Sequence, residues 1–485
     1  MLHRSLAPFA LALLSLLPAC EETGLMRFDG GTTPPGEDGG EPAQRQISYT
    51  PEGCGYTVTS PELESAAMGT DVQDPDNPVL HHVHASWAGP TDSTFAVNWE
   101  TGLRTLASRI LYGTDRAAVE AAEAPGGDVL GRNGHTMFYR AMIGGGPGTR
   151  LHEVHVCGLE PETTYYYKVG GPGRWSRVYE IATAPPVGST QPFSFGVTGD
   201  SRNNLENSWP ISQRRLDEAG VDFQVFSGDA VFLGANQADW RQFFEASVDD
   251  FDVTDFLARA PFMMANGNHD QLALNYVAQF AFPQEVSEGE RAQGMEWYSF
   301  DYGNAHFVIL NDTVNDSAVL AGGQARWLRE DLARVDRTRQ PWIFVSHHRP
   351  FYTCRSTHSP DTALRAAWQP IFDEFSVDFV LTGHNHVYER STPIRGLEGG
   401  EGVVAATGTN GVPTYDMAGL PSGTVYVVAA GVGAELYEVS SECTTSFTSM
   451  SVRPYVIFEV EGRTLTYTAY DAMSGGMLDQ FTLTK

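Results

Sequence analysis

The chain has few basic residues, and it lacks the Gly-rich phosphate loop that is typical of many nucleotide-binding enzymes. Lys and Arg number 31 against 60 Asp and Glu, so the formal net charge is −29. A surface this acidic disfavours nucleic acid or anionic lipid as a partner held by simple attraction. The sequence has no Gly-rich phosphate loop with a following Lys-Ser or Lys-Thr, which disfavours a nucleotide-driven motor or a kinase.

Long apolar runs are also absent, apart from one near the start. Residues 6–17 form an apolar stretch that is too short to span a bilayer, and they follow the polar residues His3 and Arg4. We therefore predict a secretory signal over residues 1–20. Its end, Leu17-Pro18-Ala19-Cys20, resembles a bacterial lipoprotein processing site, and plain signal cleavage is the alternative.

The predicted location of the protein follows from that signal. With acyl chains on Cys20 the protein would be exported and lipid-anchored to a bacterial membrane, and without them it would be secreted. Residues 21–74 are predicted to be a disordered tether and lead-in, because Gly, Pro and acidic residues dominate their first part. Contact with a membrane is expected only through the N-terminal lipid anchor.

Cysteines are scarce, and four of the five remain after Cys20. An even number in an exported chain predicts two disulfides. Three pairings are possible, and proximity to the predicted domains favours Cys54 with Cys157 and Cys354 with Cys443.

The length of 485 residues suffices for two or three domains. Residues 75–185 alternate polar and apolar side chains between turn signals, which predicts a small β-sandwich. A linker with several prolines follows over residues 185–192. Residues 190–485 contain apolar strands that alternate with helical stretches such as 208–220, 237–248 and 323–335, which predicts an α/β domain.

Polar residues follow five apolar runs in the α/β part. The runs span residues 193–198, 223–227, 261–265, 342–346 and 377–382. The segments at their ends are Gly199-Asp200, Gly228-Asp229, Gly267-Asn268-His269-Asp270, His347-His348 and Gly383-His384-Asn385-His386. Because open sheets bind ligands beyond the carboxyl ends of their strands, these side chains are predicted to converge on one pocket.

The residue types in this set predict metal ligation. Asp200 and Asp229 offer carboxylates, one of which can bridge two ions, and Asn268 offers a neutral carbonyl oxygen. The imidazoles come from His348, His384 and His386. Mixed oxygen and nitrogen ligation without thiolate suits iron, zinc or manganese. The alternative is a set of turn residues and satisfied core histidines, which the recurrence of such motifs at five strand ends disfavours.

These motifs resemble those of the calcineurin-like metallophosphoesterase superfamily, and the purple acid phosphatases are its most similar branch. The resemblance covers about residues 75–485. Residues 98–101, 110–113 and 159–167 resemble the fibronectin III-like N-terminal domain of that family, and residues 470–483 resemble its closing strands. The resemblance implies an α/β fold class, with a β-sandwich (fibronectin III-like) N-terminal domain followed by a four-layer α/β/β/α metallophosphoesterase domain.

The resemblance also implies roles for the site residues. Asp229 would bridge two divalent or mixed-valence metal ions (Fe, Zn or Mn). The other ligands would be Asp200 and His386 at the first ion, and Asn268, His348 and His384 at the second. His269 would lie near the phosphate as a charge stabiliser or proton donor. His358 is either a substrate contact or a plain surface histidine, and His347 is expected behind the ligands or in the core.

The activity implied by the resemblance is that of an acid phosphatase: hydrolysis of small phosphate monoesters by attack of metal-bound hydroxide. A phosphodiesterase on the same metal core is one alternative. Another is a surface lipoprotein that binds a partner without catalysis.

Two positions depart from the pattern of the family. Phe232 stands three residues after Asp229, where the purple enzymes have Tyr, and Arg202 stands where other branches place His. Both changes remove a ligand from the first metal, so we predict weaker binding there and no ferric–phenolate colour. Arg202 is a planar cation suited to a phosphate oxygen, with a surface ion pair as the alternative.

A further group of histidines, His81, His82 and His84, lies in the predicted sandwich. No acidic pattern nearby supports metal ligation, so a structural cluster at the edge of a strand is expected there.

Overall fold

The structure is a computed structural model that describes residues 48–59, 64–65, 68–77, 79–140, 143–144, 146, 148–271, 273–284, 295–313, 319–354, 357–396, 400–401, 406–407, 413–416, 423–439 and 447–485. The predicted signal sequence with Cys20 lies outside these residues, as does Cys443. Signal cleavage, lipidation and the pairing of Cys443 therefore stay predictions. Among the described helices, none combines the length and hydropathy needed to span a membrane.

The described part of the first domain consists of strands and one short helix, α1 (Arg116–Ala121). The strands are β1 (Ser48–Tyr49), β2 (Val58–Thr59), β3 (Glu64–Ser65), β4 (Leu80–Ser86), β5 (Thr94–Thr101), β6 (Arg109–Gly113), β7 (Leu130–Asn133), β8 (His135–Tyr139), β9 (Thr149–Cys157), β10 (Thr164–Gly171), β11 (Arg174–Trp175) and β12 (Tyr179–Ala182). They form one sheet in the order β3-β8-β9-β5-β4 and a second in the order β11-β10-β6-β7, with β12 beside β10. The predicted β-sandwich is confirmed.

Part of the segment predicted as a tether is folded onto this sandwich. Strand β1 pairs with β2, and the Tyr49 ring meets the His135 ring edge-on at 5.0 Å. Cys54 forms the predicted disulfide with Cys157 at the end of β9. The disorder predicted within residues 21–74 is therefore wrong over residues 48–59, because a covalent bond and aromatic contacts hold them. Cys354 is also in a disulfide.

The second domain mixes strands and helices. Its strands are β13 (Phe193–Thr198), β14 (Phe223–Phe226), β15 (Ser247–Val248), β16 (Phe251–Asp252), β17 (Phe262–Met264), β18 (Tyr298–Tyr302), β19 (Ala305–Ile309), β20 (Trp342–Ser346), β21 (Phe379–Thr382), β22 (Tyr388–Ser391), β23 (Ile394–Arg395), β24 (Gly400–Glu401), β25 (Ala406–Thr407), β26 (Pro413–Asp416), β27 (Val425–Ala429), β28 (Phe447–Met450), β29 (Pro454–Glu461), β30 (Thr464–Asp471) and β31 (Met477–Thr484). Its helices are α2 (Ser208–Glu218), α3 (Gln237–Glu245), α4 (Val253–Arg259), α5 (Leu274–Gln279), α6 (Gln324–Leu332) and α7 (Thr362–Phe375), with a π-helical turn at Val319–Gly323.

Two large sheets form the centre of this domain. One has the order β17-β14-β13-β29-β30-β31-β26-β25, and the other has the order β18-β19-β20-β21-β27-β22-β28. Phenylalanines fill the space between them: the Phe195 ring lies 4.6 Å from Phe458 within the first sheet and 4.9 Å from Phe344 of the second. Helix α2 covers the outer face of the first sheet, and α6 and α7 cover that of the second. The four-layer α/β/β/α arrangement is confirmed.

The strand directions bring the predicted motifs to one edge. Strands β13, β14 and β17 run parallel in the first sheet, and β20 and β21 run parallel in the second. Their carboxyl ends therefore lie together, and each is followed within a few residues by one of the polar segments. The fold thus places side chains from residues 200 to 386 around a single pocket.

The two domains share one hydrophobic core. Trp87, at the end of β4, lies 5.4 Å from Phe223 and 5.7 Å from Tyr302 in ring-centroid distance. The His84 ring stacks on Phe244 of helix α3 at 4.3 Å. The sandwich is therefore packed firmly against the second domain.

Candidate metal centre

The backbone turns sharply at three of the predicted ligands. Asp200, Asp229 and His384 have φ values of +57°, +58° and +66°, in the left-handed region that non-glycine residues rarely adopt. Each such residue costs about 1–3 kcal/mol, and such strain clusters at functional sites. These turns direct the side chains into the pocket as soon as the strands end.

Glycine is required beside two of these turns. A Cβ atom on Gly383 would lie 2.5 Å from Oδ2 of Asp200, and one on Gly267 would lie 2.2 Å from Oδ1 of Asp229. Backbone and carboxylate approach so closely that no side chain fits between them. Gly267 and Gly383 therefore serve close packing around the carboxylates.

One group of donors gathers around Asn268. Its Oδ1 lies 3.1 Å from Nε2 of His348 and 3.0 Å from Nδ1 of His384. Nε2 of His348 is also 3.4 Å from Oδ1 of Asp229. Nδ1 of His348 donates to the carbonyl oxygen of Ser227 at 2.8 Å, which leaves Nε2 for a metal. This group fits the predicted second site.

A second group of donors gathers around Asp200. Its Oδ1 lies 3.4 Å from Nε2 of His386, while both carboxylate oxygens accept from the backbone N–H of His384 at 3.1 Å. Nδ1 of His386 donates to the carbonyl oxygen of Glu435 at 2.7 Å. The His386 ring also stacks on Tyr437 at 4.2 Å. His386 therefore presents Nε2 to the predicted first site in a fixed orientation.

Asp229 lies between the two groups and is fully buried. Ligand atoms of Asp200, Asp229 and His348 all lie within 4.8 Å of one another. Buried carboxylates at this spacing require positive charge between them. Together with the fixed imidazoles, this donor set fits two divalent or mixed-valence metal ions with Asp229 as the bridge.

The pKa shifts describe the same need for positive charge. Burial alone would lower the pKa of His348, but the Asp229 carboxylate beside it raises the pKa to about 10. Burial would raise the pKa of Asp229, and the charge of His348 holds it well below its usual range. Each group thus favours the charged form of the other, and a metal bound at Nε2 of His348 would take the place of a proton there.

Arg202 occupies the side of the centre where ligands are missing. Its Nε donates to Oδ2 of Asp229 at 3.1 Å, and its Nη2 lies 3.2 Å from Nε2 of His386. The guanidinium thus lies against two side chains that are predicted to bind the first ion. Its partners are thus the buried Asp229 and His386 rather than a surface acid, and its contact with a phosphate oxygen stays a prediction.

Three further predicted residues line or border the pocket. Nδ1 of His269 donates to the carbonyl oxygen of Phe232 at 2.7 Å, and its Nε2 lies 4.0 Å from Oδ2 of Asp229. The His358 ring lies 4.3 Å from that of His384, so His358 borders the pocket, and its contact with substrate stays a prediction. Phe232 is 55% exposed at the rim, and the visible spectrum of iron-loaded protein will test the predicted absence of colour.

Two supporting residues were not predicted from the sequence. Asp270 accepts from the backbone N–H groups of Asp229, Ala230 and Gly267 at 2.8 to 3.0 Å, and burial together with the charge of Asp229 raises its pKa. Asp312 lies 3.0 Å from Nδ1 of the buried His347, which places His347 behind the ligands. The position of Asp270 at the end of a quoted motif was a usable signal, whereas nothing in the sequence pointed to Asp312.

Known proteins share both domains. The family model described as purple acid phosphatase, N-terminal domain, matches residues 80–183, and the model described as calcineurin-like phosphoesterase matches residues 193–388. Purple acid phosphatase 18 of Arabidopsis thaliana is 28% identical over 324 residues, which are 64% of this chain and 66% of that protein. Fe(3+)-Zn(2+) purple acid phosphatase 12 of the same plant is 27% identical over 265 residues, which are 51% of this chain and 53% of that protein.

A solved structure has the same fold. The purple acid phosphatase from seeds of yellow lupin (Lupinus luteus) superposes with a TM-score of 0.67 at 22% identity, over 84% of this chain and 74% of that one. Both domain models match in the order that the fold predicts, and the donors meet at one edge of the sheets. Residues 80–183 and 193–388 of the chain therefore match the families of the purple acid phosphatase N-terminal domain and of the calcineurin-like phosphoesterases, and purple acid phosphatases are similar to the chain in sequence and in fold.

Proposed function

We propose that this protein is a dinuclear-metal phosphatase that hydrolyses phosphate monoesters in the manner of an acid phosphatase. The observation that carries the proposal is the position of Asp229 between two groups of donors, with His348 3.4 Å from its Oδ1 and Asp200 within 4.8 Å. Asn268, His348 and His384 would hold one ion with Asp229, and Asp200 and His386 would hold the other. When bound, the two ions neutralise the charge of the phosphate and lower the pKa of a water.

His269 is suited to donate a proton. Its Nδ1–H is committed to the carbonyl oxygen of Phe232, so Nε2 is the atom that faces the pocket. Because Nδ1 keeps its proton, Nε2 carries one only in the imidazolium form, which can donate it to a phosphate oxygen or to the leaving-group oxygen as the ester bond breaks. Burial lowers the pKa of His269, so this form is favoured at acidic pH. The leaving alcohol then departs neutral, and no protein nucleophile is required.

His358 and Arg202 would contact the phosphate from other sides. Nε2 of His358 is 3.3 Å from the hydroxyl of Tyr437, a contact that orients its ring beside His384. Arg202 can turn its fork of N–H donors to a phosphate oxygen once an ion takes its place beside Asp229 and His386. Both residues would stabilise negative charge that develops on the equatorial oxygens.

We further propose that the protein is exported, with Cys20 as the site of a lipid anchor. The Cys54–Cys157 disulfide supports this, because such bonds persist in oxidising compartments. The mass of the mature N-terminal peptide, isolated from membranes and from medium, will distinguish an acylated Cys20 from plain signal cleavage.

One assay separates the proposed activity from its alternatives. Purified protein loaded with zinc, iron or manganese is given a nitrophenyl phosphate monoester and a bis-nitrophenyl phosphate diester. We expect the monoester to be hydrolysed with the higher kcat/KM. A preference for the diester would indicate a phosphodiesterase, and metal content without turnover of either ester would indicate a binding protein.

A further inference from the structure

A second cluster of possible metal ligands lies between strand β4 and helix α3, and it shares no residue with the centre described above. Residues His81, His82 and Glu245, here termed the His81 cluster, place one ligand atom each within 4.8 Å of one another. The register between β4 and β5 shifts between His81 and His84, and His82 has φ of +60°. This β-bulge turns His82 out of the strand pattern, and bulges of this kind often redirect a side chain at a functional site.

The acid that the sequence did not show near these histidines comes from another domain. Glu245 is the last residue of helix α3, and its Oε1 lies 3.2 Å from Nε2 of His82 and 3.5 Å from Nδ1 of His81. Bonds of about 2.0–2.1 Å from a tetrahedral ion place its ligand atoms roughly 3.4 Å apart. The observed separations therefore match the spacing that such an ion imposes.

A carboxylate lies behind the ring of His82, as it does behind many metal-binding histidines. Its Nδ1 lies 3.4 Å from Oε2 of Glu100, on the far side of the ring from Glu245. Arg241 fixes Glu100 in turn with two donors at 2.6 and 2.9 Å. A carboxylate behind a histidine fixes its tautomer and increases its basicity as a ligand.

The cluster also has room for a fourth ligand. It borders a cavity of about 390 Å³ that is lined in addition by Asn77, Thr101 and Leu103. Water in this cavity can complete four coordination around an ion held by three side chains. His84 does not take part, because its two ring nitrogens lie 2.5 Å from the carbonyl oxygens of His82 and Gln279.

We propose that the His81 cluster binds a divalent metal ion of the zinc class, and that this ion links the N-terminal sandwich to helix α3 of the phosphoesterase domain. Two nitrogens and one carboxylate oxygen suit zinc better than calcium or magnesium. Because the ligands belong to both domains, binding stabilises their junction by the linkage between ligand and native state. The proposal does not depend on the phosphatase activity.

The test compares single variants of the full chain. His81→Ala and Glu245→Gln each remove one ligand, and both residues are partly exposed, at 39% and 54% of the side chain. Glu218→Gln, at an acid on helix α2 that is 53% exposed, is the matched control. Each protein is dialysed against the same free zinc concentration, its zinc is counted by mass spectrometry, and its thermal midpoint is measured with and without zinc.

We expect the His81→Ala and Glu245→Gln proteins to hold one zinc equivalent fewer than the wild type, while Glu218→Gln holds the same number. Their gain in thermal midpoint on addition of zinc should be smaller than that of the wild type, and turnover of nitrophenyl phosphate should be unchanged. Wild-type zinc content in both cluster variants would overturn the proposal. Absence of turnover in the wild-type protein would instead contradict the proposed phosphatase activity. Failure of the metal-site proposal and failure of the proposed function therefore give different results.

Discussion

At the scale of single residues, the candidate centre depends on Asp229 more than on any other described side chain. Its backbone N–H is fixed by Asp270, and its Oδ1 accepts from the backbone N–H of His269 at 2.8 Å. Its two oxygens face opposite sides, where His348 and Arg202 lie. These contacts position the carboxylate before any ion binds, which reduces the reorganisation of the site that binding requires.

Replacement of Asp229 should therefore remove both ions. We expect Asp229→Ala to lower the metal content at both sites and to reduce kcat by about 10³-fold or more. Metal analysis and nitrophenyl phosphate turnover on the same preparation will check this, with circular dichroism to establish that the protein is folded. Unchanged metal and turnover would contradict the bridging role.

His269 should behave differently, because it faces the pocket without binding metal. We expect His269→Ala to keep its metal content while kcat falls by about ten-fold or more, since proton donation contributes on that scale or above. Loss of metal in this variant would make His269 a ligand instead.

Arg202 is predicted to compete with the first ion. Its guanidinium contacts Asp229 and His386, so a metal must displace it. We expect Arg202→Ala to raise the affinity of the weaker site for zinc, because the ion no longer has to displace a guanidinium from Asp229 and His386, and to raise KM through loss of a phosphate contact. Arg202→Lys, which keeps the charge, is the control in titration calorimetry. Weaker zinc binding in Arg202→Ala would contradict the competition.

At the scale of elements, the strands that carry the ligands were predictable, and the side-chain contacts were not. The apolar runs predicted β13 and β20 with their observed bounds, because both strands are buried and end at a polar segment. The residues that converge on the pocket are those that follow the carboxyl ends of the strands. No local pattern indicated that Arg202 would contact His386, or that Glu245 would contact the histidines of β4, because those contacts join residues more than 160 positions apart.

One ion-pair network between elements makes a pH-dependent contribution to stability. His306 on β19 lies 2.7 Å from Asp301 of β18 and 2.9 Å from Asp331 of helix α6. Burial lowers the pKa of His306, but the two carboxylates raise it from 6.5 to about 10. Because the folded pKa is raised, the stabilisation is fully present below the unfolded value and is lost as pH rises through about 10.

We expect His306→Gln to reduce the free energy of unfolding by roughly 1–3 kcal/mol at pH 6. The difference from the wild type should shrink between about pH 7 and pH 10. Urea unfolding of both proteins across this range will measure it. A difference that is constant with pH would show that His306 is neutral in the folded protein.

At the scale of the whole molecule, a covalent bond ties the N-terminal segment to the sandwich. Cys54 and Cys157 are 103 residues apart in sequence, so the bond restricts a long loop of the unfolded chain. This segment was predicted to be disordered from its composition. The composition carried no information about Tyr49 and the disulfide, which hold residues 48–59 in place.

Removal of this disulfide should lower stability without affecting the metal centre. We expect Cys54→Ser with Cys157→Ser to reduce the free energy of unfolding by about 2–4 kcal/mol while turnover is retained. Guanidinium unfolding under oxidising conditions will measure the loss. A reductant also opens the disulfide of Cys354, so both proteins are compared again in its presence. Their free energies of unfolding should then be equal, and a persistent gap would assign the effect to the serines rather than to the bond.

The aromatic packing of Trp87 and His84 between the two domains has a consequence for expression of the separate domains and for their evolution. Because Trp87 and His84 pack on rings of the catalytic half, a fragment that starts at the linker would leave an apolar surface bare to water. Such a fragment should aggregate during expression. Recombination that joins the two domains from different proteins at the linker should rarely give a folded product. The two domains are therefore expected to be inherited together in related proteins.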